Sequence, residues 1–366
     1  MTQTEKYLIQ PVPFQKKLKQ WFMKCGRHDL PWQINPTPYR VWVSEIMLQQ
    51  TQVITVIPFY ARFMARFPTL TELAQADIND VITLWAGLGY YARARNLHKA
   101  AIKIMLDHAG ILPNTQEGLE ALPGVGRSTA GAILSLSGMR AAPILEGNVK
   151  RILCRLFGIT GVPNDKKVDL KLWEIATHYT PKKTAQSHNQ AMMDLGATLC
   201  YRTKPLCEQC PFLAVCYAAL NQQQSALPER KKKLIKPQIQ KWYLLIFYRN
   251  MLRLEKRPPT GIWSNLWVLP EFSTEKDLIY FCQQKFDLKE AKIEKAILHP
   301  VKHSFTHFDM TLHFLQINLT QPDKKKQPDY FLNEPNNKWF LLDENLYNTI
   351  GMPAPIQKIL KKLIEL

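Results

Sequence analysis

Two glutamates stand at positions where a carboxylate could carry out acid–base chemistry. Glu45 lies in the apolar segment 41–48, and burial in a pocket there would raise its pKa and make it a proton donor at neutral pH. The alternative is a glutamate on the exposed face of an amphipathic helix. Glu146 precedes Gly147-Asn148-Val149 at a predicted helix start, and taken alone it is typical of a surface loop. The two positions by themselves leave both roles open.

A cluster of cysteines indicates a metal centre. Four of the seven cysteines follow the spacing C-x6-C-x2-C-x5-C, and they are Cys200, Cys207, Cys210 and Cys216. A structural zinc site more often has two close C-x2-C pairs, whereas one close pair with two wider gaps suits a 4Fe-4S cluster held by a single loop. We therefore favour iron–sulfur over zinc and over unrelated thiols. Arg202 and Lys204 lie inside the loop and could meet phosphates.

A glycine-containing turn could hold a phosphate backbone. Gly124 and Gly126 allow a tight turn and a close approach to a ligand, and the helix predicted after them offers unpaired N–H groups. A plain turn between two helices is the alternative for a lone Gly-x-Gly. The longer pattern Leu-Pro-Gly-Val-Gly-Arg at 122–127 is more specific. It resembles the helix-hairpin-helix element, which holds DNA backbone without base contacts, and we expect that element over about 117–136.

The charge balance favours a polyanionic partner. Lys and Arg outnumber Asp and Glu by 48 to 30 among 366 residues, a net charge of +18, which favours nucleic acid over an anionic membrane. With 46% hydrophobic and 21% charged residues, the composition excludes disordered, collagen-like and small disulfide-stabilised proteins. The longest uncharged run, 209–228, is too polar to cross a membrane. Without an evident export signal, we expect a cytoplasmic protein with no membrane partner.

Two kinds of periodicity divide the chain into the elements that must position these residues. Residues 1–224 have helical periodicity, with Asp77 predicted to cap a helix. Residues 225–241 carry six Lys or Arg against one Glu, with two prolines and no apolar period, so we predict a basic linker. Residues 242–366 show strand-like alternation at 308–314 and then a closing helix. The predicted fold class is multi-domain, an all-α domain followed by a smaller α+β domain.

Ordered segments along nearly the whole chain resemble one known family. They are Leu30-Pro31-Trp32, 44–52, 85–93, 122–129, 189–196, the cysteine loop 200–216, and 303–308. In this order they resemble the MutY-type adenine DNA glycosylases of the helix-hairpin-helix DNA glycosylase superfamily. The resemblance implies a helical glycosylase domain with an iron–sulfur loop, and a Nudix-like domain over 242–366 that contacts 8-oxoguanine. The Nudix catalytic signature is absent after Gly261, so we expect recognition there rather than pyrophosphatase activity.

The same resemblance implies roles for the candidate catalytic residues. Glu45 would protonate adenine at N7, and the carboxylate of Glu146 would stabilise an oxocarbenium-like sugar, the division of labour known from glycoside hydrolysis. Ser128 stands where the endonuclease III type has the Lys that forms a Schiff base and nicks the strand, so we expect a monofunctional glycosylase. Lys150 is implied to lie near the product sugar.

The resemblance also implies contacts with DNA. Because the target base must leave the double helix to be reached, Gln50 is expected to fill the vacated stack. The positions implied to contact the 8-oxoguanine or the DNA close to it are Thr51, Leu88, Tyr90 and Thr306 with its neighbours Phe305 and His307. The turn implied to hold the backbone is formed by Gly124, Val125 and Gly126.

The expected function is removal of adenine mispaired with 8-oxoguanine or guanine, by hydrolysis of the N-glycosidic bond in base excision repair. The expected cofactor is a 4Fe-4S cluster, the expected partner is double-stranded DNA, and we expect a monomer. Two positions depart from the family pattern. Glu146 replaces Asp, which we expect to slow cleavage by displacing the charge, and Thr306 replaces Ser but keeps the hydroxyl. A catalytically impaired lesion-binding protein and a bifunctional endonuclease III-like glycosylase/lyase are the alternatives.

Overall fold

The computed structural model describes residues 9–231, 235–286, 293–295, 299–319, 335–343, 345–346 and 350–365. The chain divides into two compact units, which we call the helical unit (Met1–Gln75 with Asn96–Lys233) and the sheet unit (Ala76–Arg95 with Leu234–Leu366). The stretch 76–95 lies within the range 1–224 predicted as the helical domain, yet it packs with the sheet unit. No helix in the described ranges is long and apolar enough to cross a membrane.

Short helices make up nearly all of the regular structure before residue 221. They are α1 (Pro11–Cys25), α2 (Pro38–Leu48), α3 (Val53–Arg66), α4 (Leu70–Gln75), α5 (Ile78–Trp85), α6 (Ala92–Asp107), α7 (Gln116–Glu120), α8 (Arg127–Leu136), α9 (Gly147–Phe157), α10 (Lys166–Tyr179), α11 (Ala185–Thr198) and α12 (Tyr217–Leu220). Two single-turn 3-10 helices, Cys207–Gln209 and Leu213–Val215, lie in the cysteine loop. Of these helices, α5 belongs to the sheet unit, and α6 begins in the sheet unit and continues into the helical unit.

Local sequence signals set the ends of the helices around the site. Thr37 caps α2 with its side-chain oxygen. Asp77 caps α5 as predicted, accepting a hydrogen bond of 2.7 Å from the Asn79 N–H. Helix α9 begins directly after Glu146 and ends at Phe157. The next residue, Gly158, has a φ of 64°, a left-handed conformation that glycine adopts at little cost. Capping therefore fixes the start of α9, and with it the backbone at Glu146.

The core of the helical unit joins helices that are distant in sequence. Phe14 of α1 is fully buried and stacks on Phe212 of the cysteine loop, with 4.7 Å between ring centroids. Asn189 of α11 is 1% exposed, and its amide donates to Ser135 Oγ at 2.7 Å and to the Ala142 carbonyl at 2.8 Å. Because buried polar groups are costly when unpaired, this amide ties α8, α11 and the segment leading to α9 together.

Among the described residues, the sheet unit contains α5, the start of α6, one mixed sheet and, after the linker, two further helices. Its elements after the linker are β1 (Gln238–Tyr248), β2 (Met251–Lys256), β3 (Trp267–Val268), β4 (Glu271–Phe272), α13 (Glu275–Lys285), β5 (Ile293–Lys295), β6 (Val301–Ser304), β7 (Asp309–Leu319), β8 (Asn337–Leu341) and α14 (Ala354–Ile364). The described strands run in the order β3-β2-β1-β7-β5, with β4 paired to β1, β6 to β7 and β8 to β2. Strands β1 and β7 are parallel, and the other described pairs are antiparallel.

Helices cover both faces of this sheet. Buried and half-buried residues alternate along the first part of β7, as predicted. In β1, by contrast, residues 243–246 are all buried. Tyr243 and Leu245 pack in the apolar cluster that includes α14, and Leu244 and Ile246 pack in the cluster that includes α13. A central strand buried on both faces has no polar face, so its burial does not alternate.

The predicted fold class is confirmed, because a helical part is followed by a smaller part of strands and helices. The boundary at the linker is less sharp than its composition indicates. Strand β1 begins at Gln238, inside the segment 225–241 predicted as a linker. Its first residues pair with the start of β7 and complete the sheet.

Gly131 lets α8 pack directly against the segment that leads to Glu146. A methyl group added at Gly131 would overlap the carbonyl oxygen of Pro143, so we expect Gly131→Ala to lower the free energy of unfolding by about 1–3 kcal/mol. Gly147→Ala is the matched control, since a methyl group there meets nothing within 4 Å, and it should keep wild-type stability or gain slightly. Thermal unfolding of both variants provides the measurement. An equal loss in the two would contradict the packing argument.

Candidate active site

Glu45 lies near the C-terminal end of α2, where its neighbours Ser44 and Ile46 are buried. Glu45 itself is half-buried in the wall of a cavity. Burial raises the pKa of Glu45 to about 7, and the negative charge of Glu146 contributes in the same direction. A carboxyl group that titrates near neutral pH can act as a proton donor there. The placement supports the buried interpretation of Glu45 over the exposed helix face.

Glu146 is the N-cap of α9, and both of its carboxylate oxygens are engaged. Oε2 accepts a hydrogen bond of 2.8 Å from the Asn148 N–H, and Oε1 accepts one of 3.0 Å from the Val149 N–H. Burial raises the pKa of Glu146, and these two N–H groups and the charge of Arg151 act against that rise. The longer side chain of Glu thus still caps the helix, whose N-terminal end stabilises a negative charge.

The two glutamates line one cavity of about 390 Å³ in the helical unit. Ser128 at the start of α8 also lines it, and its Oγ accepts a hydrogen bond of 2.9 Å from the Leu145 N–H. Gln50 and Thr51 come from the turn after α2, where Gln50 has a φ of 57°. The predicted site residues that meet at this cavity are therefore Glu45, Gln50, Thr51, Ser128 and Glu146.

Other residues of the cavity wall were not identified from the sequence. They include Arg27, Trp32, Gln190 and Met193. Trp32 is 5% exposed and Gln190 is 9% exposed. Both lie in segments on which the family resemblance rests, so a signal for them existed, whereas nothing in the sequence pattern marked Arg27.

The predicted backbone-binding turn is present before α8. Gly124 has a φ of 79°, and a methyl group there would lie 2.9 Å from Cβ of Asn96, so both its conformation and its surroundings favour glycine. Val125 is buried, and Gly126 is the N-cap of α8. Gln49 Nε2 donates to the Gly124 carbonyl at 3.4 Å, which joins the turn to the end of α2 beside the cavity.

Lys150 lies outside the cavity. Its Nζ donates to Asp169 Oδ1 at 2.6 Å and to Asn164 Oδ1 at 2.9 Å, and it does not belong to the cavity wall in the described part of the chain. The structure thus places Lys150 in an ion pair with Asp169, and its implied role beside a product sugar stays a prediction.

The cysteine loop brings four free thiols near one another in the helical unit: Cys200, Cys207, Cys210 and Cys216. Burial raises the pKa of the Cys210 thiol to about 12, with the other three cysteines adding to the rise. Arg155 Nη1 donates to Cys200 Sγ at 3.3 Å. Thiolates are the donors that iron–sulfur clusters take, so the donor set fits that chemistry. Among the described residues, however, no three His, Cys, Asp or Glu side chains are arranged to hold a metal ion directly.

The sheet unit has a cavity of its own, also about 390 Å³. Its wall contains an aromatic group in which Phe305 lies 5.6 Å from Trp263 and 4.7 Å from His303 between ring centroids. Leu88, which is buried, and His307, which is exposed, do not line it in the described part of the chain. The predicted lesion-contact residues that line it are Tyr90, Phe305 and Thr306.

Side chains of α5 and α6 hold the loop that carries Leu88 and Tyr90. Arg93 Nη2 donates to the Leu88 carbonyl at 3.4 Å and to the Gly89 carbonyl at 3.2 Å, and Trp85 Nε1 donates to Gly89 at 3.2 Å. Burial lowers the pKa of Arg93 to about 10, so the guanidinium remains charged at neutral pH. The loop is thus fixed with Tyr90 51% exposed at its tip.

Two protein families match this chain. Residues 43–178 match the HhH-GPD superfamily base excision DNA repair proteins, and residues 242–362 match the NUDIX domain. The first match contains the cavity residues from Glu45 to Glu146, and the second spans the sheet and helices of the sheet unit after the linker. The predicted Nudix-like architecture of that part is confirmed.

One relative covers nearly the whole chain, and two further similar proteins cover somewhat more than half of it. The chain is 39% identical over 349 residues to adenine DNA glycosylase of Buchnera aphidicola subsp. Acyrthosiphon pisum, which covers 95% of this chain and 97% of that protein. It is 43% identical over 223 residues to adenine DNA glycosylase of Homo sapiens, which covers 58% of this chain and 41% of that protein. Among solved structures, a thermostable thymine-DNA glycosylase aligns with a TM-score of 0.54 and 25% identity, covering 60% of this chain and all of that one.

The electrostatic coupling of the two carboxylates is measurable. We expect Glu45 to titrate near pH 7, and Glu146→Gln to lower the pKa of Glu45, because the substitution removes a neighbouring negative charge. Glu117→Gln, at an exposed carboxylate of α7, is the control and should leave this pKa unchanged. Carbon-13 NMR of labelled glutamate side chains, with Glu45→Gln to assign the signal, gives the values. An unchanged pKa of Glu45 in Glu146→Gln would show that the two groups are uncoupled.

Proposed function

Since the chain belongs to the adenine DNA glycosylases, which are base excision repair hydrolases of the HhH-GPD superfamily, we propose that it removes adenine paired with 8-oxoguanine or guanine in double-stranded DNA. The observation that carries this proposal is that Glu45 and Glu146 line one cavity with different electrostatic surroundings. Its volume of about 390 Å³ lies within the range of roughly 300–1,000 Å³ typical of small-molecule sites. A purine base extruded from the duplex would enter there.

The two carboxylates divide the chemistry of hydrolysis between them. Adenine is a poor leaving group, so Glu45 donates its proton to N7 and allows the base to depart neutral. The sugar gains positive charge as the bond from C1′ to the base nitrogen breaks, and the carboxylate of Glu146 stabilises that charge. A water molecule then adds its oxygen to C1′ and releases a proton to the surroundings.

Their surroundings suit these opposite roles. Burial and the charge of Glu146 favour the protonated form of Glu45. Two N–H groups at the start of α9 favour the ionised form of Glu146. Separation of two titrating groups by their environments is the usual way in which one site supplies both an acid and a carboxylate.

The lyase alternative lacks its nucleophile in this cavity. A Schiff base requires an amine, and position 128 carries a serine whose hydroxyl is hydrogen-bonded to the backbone of Leu145. No lysine belongs to the cavity wall in the described part of the chain. A monofunctional glycosylase follows from these side chains.

We place the opposite base, 8-oxoguanine, at the aromatic cavity of the sheet unit. Tyr90, Phe305 and Thr306 line that cavity, and aromatic side chains stack on bases while a hydroxyl can accept or donate hydrogen bonds. The turn at Gly124–Gly126 and the start of α8 would bind the backbone through N–H groups. The net charge of +18 supports this binding through phosphate contacts.

The cysteine loop would hold a 4Fe-4S cluster as a structural support. Cys200, Cys207, Cys210 and Cys216 supply the four thiolates that such a cluster takes. When bound, the cluster would fix the loop that carries Arg202 and Lys204, and hydrolysis requires no electron transfer from it. These two cations are exposed and available to phosphates.

The extra methylene at position 146 is expected to slow the chemistry. Relative to Asp, the Glu side chain moves the carboxylate by roughly 1 Å or more, a displacement that can cost on the order of 100-fold in rate. We therefore expect Glu146→Asp to raise the single-turnover rate on an adenine:8-oxoguanine duplex by at least about tenfold, with little change in affinity. Equal rates for the two proteins would show that the site tolerates the longer side chain.

The aromatic cavity should control the choice of opposite base. Phe305→Ala combined with Thr306→Ala should lower the ratio of single-turnover rates on adenine:8-oxoguanine and adenine:guanine duplexes by about fivefold or more, the loss of about 1 kcal/mol of contact energy. The adenine:guanine rate should change little. Val12→Ala, at an exposed residue of the helical unit, is the control. A retained ratio in the double variant would place recognition of 8-oxoguanine elsewhere.

Loss of a cluster ligand should impair stability and DNA binding more than bond cleavage. We expect purified protein to be brown, with absorbance near about 400 nm, and Cys207→Ser to lose that absorbance together with thermal stability and DNA affinity. Cys25→Ser, at an exposed cysteine outside the loop, should behave as wild type. A colourless Cys207→Ser protein with full stability and affinity would contradict the structural role.

A further inference from the structure

The last residues of the linker contact the loop 305–308, which joins β6 to β7. We call this loop the recognition loop, because it contains two of the residues placed beside 8-oxoguanine. Strands β1 and β7 are parallel, with Gln238 opposite Asp309. Residues just before Gln238 therefore lie beside the residues just before Asp309, which form the recognition loop. Lys236 is thus brought to the loop although 69 positions separate it from Phe305.

The ammonium group of Lys236 binds the recognition loop at its first peptide group and at its base. Its Nζ donates to the Phe305 carbonyl and, at 3.0 Å, to Ser304 Oγ. Ser304 Oγ in turn donates to Asp309 Oδ1 at 2.6 Å, and this carboxylate oxygen lies 3.8 Å from Lys236 Nζ. Ser304 ends β6 and Asp309 begins β7. One cation therefore joins the ends of both strands to the start of the loop between them.

The backbone around Lys236 is itself held in place. Pro237 follows it and favours an extended conformation at Lys236, and the Asp309 N–H donates to the Pro237 carbonyl at 3.0 Å. Gln238 Nε2 donates to Asp309 Oδ2 at 3.1 Å. The Lys236 side chain is 36% exposed, so water competes only in part for its hydrogen bonds. Lys236 is therefore fixed at its backbone and bound at its ammonium group.

The bond to the Phe305 carbonyl also orients the next residue. A peptide group is planar, so a fixed carbonyl fixes the direction of the Thr306 N–H in the same peptide group. That N–H has no hydrogen-bond partner in the described part of the chain, and Thr306 lines the aromatic cavity. 8-Oxoguanine carries a hydrogen at N7 and an oxygen at C8, whereas guanine has an unprotonated N7 and a hydrogen at C8. Two bases that differ at neighbouring atoms are distinguished by polar groups held in fixed positions.

We propose that Lys236 is a positioning residue for the recognition of 8-oxoguanine. It does not line the aromatic cavity in the ranges that the structure describes, and it acts by holding the Phe305–Thr306 peptide group in one orientation. The inference rests on the proposed function, in which this cavity binds the base opposite adenine. It assigns a second task to the linker, whose last cations include the one that fixes the lesion-contact residues.

The substitution Lys236→Met tests this role, because Met has a side chain of similar length but donates no hydrogen bond. We expect the ratio of single-turnover rates on adenine:8-oxoguanine and adenine:guanine duplexes to fall by about threefold or more, with the adenine:guanine rate within about twofold of wild type. Both rates are measured below saturating protein, so that binding and chemistry contribute. Because the ratio compares two substrates of one preparation, a loss of folded protein does not alter it.

Lys241→Met is the matched control. It removes the same charge from the same segment, but Lys241 Nζ donates to Ser273 Oγ at 3.3 Å and pairs with Glu271 at 3.2 Å, away from the recognition loop. This variant should keep the wild-type ratio. An equal fall in both variants would show a general effect of charge on DNA binding and would overturn the inference.

Two further variants separate positioning from a general loss of stability. Lys236→Arg should keep most of the preference for 8-oxoguanine, since a guanidinium can still donate to the Phe305 carbonyl. Adding Lys236→Met to the double variant Phe305→Ala, Thr306→Ala should change the ratio no further, as expected of residues that act through one contact. An unchanged ratio in Lys236→Met, an equally low ratio in Lys236→Arg, or a further fall in the triple variant overturns the inference. A wild-type protein that cleaves both duplexes equally would instead refute the proposed binding of 8-oxoguanine at the aromatic cavity.

Discussion

The burial of two carboxylates in the wall of one cavity is the constraint on which the active site depends. Burial disfavours the ionised form of both Glu45 and Glu146, and the negative charge of Glu146 adds to the rise in the pKa of Glu45. Glu146 lies at the N-terminal end of α9, where two backbone N–H groups stabilise its negative charge. Glu45, on the apolar end of α2, has no comparable support among the hydrogen bonds described. The proton therefore belongs at Glu45.

Close backbone packing keeps Glu146 in place. Gly131 lies against the carbonyl of Pro143, and Gly196 lies against Asn148, so that a methyl group at either glycine would overlap its neighbour. Helix α8 thus packs against the segment before Glu146, and helix α11 packs against the first turn of α9 after it. The backbone around Glu146 is tightly packed, so the side chain itself has to accommodate the additional methylene of glutamate. We therefore assign the expected slowing of cleavage to a displaced carboxylate charge and not to the loss of the helix cap.

The sequence predicted those features that depend on local signals. Three such features are present: the helix cap at Asp77, the turn at Gly124 and the alternating burial along β7. Each depends on residues within a few positions of one another. Features that arise from distant packing could not be predicted. Arg27 and Asp194 are separated by 167 residues, yet they form an ion pair beside the cavity, and Lys150 forms an ion pair with Asp169 of α10. The grouping of residues 76–95 with the sheet unit is likewise a tertiary property that their helical periodicity does not encode.

The pH dependence of single-turnover cleavage tests the central claim most directly, because it reports the protonation of Glu45 in the working enzyme. With a pKa of about 7, Glu45 should lose its proton above neutrality, so the rate should fall by about tenfold per pH unit between roughly pH 8 and pH 9. On the acid side the rate should fall as Glu146 takes up a proton. Glu45→Gln should be slower by about 100-fold or more and should lack the alkaline fall. A rate that stays constant across this range, or an alkaline fall that persists in Glu45→Gln, would contradict the assignment of Glu45 as the acid.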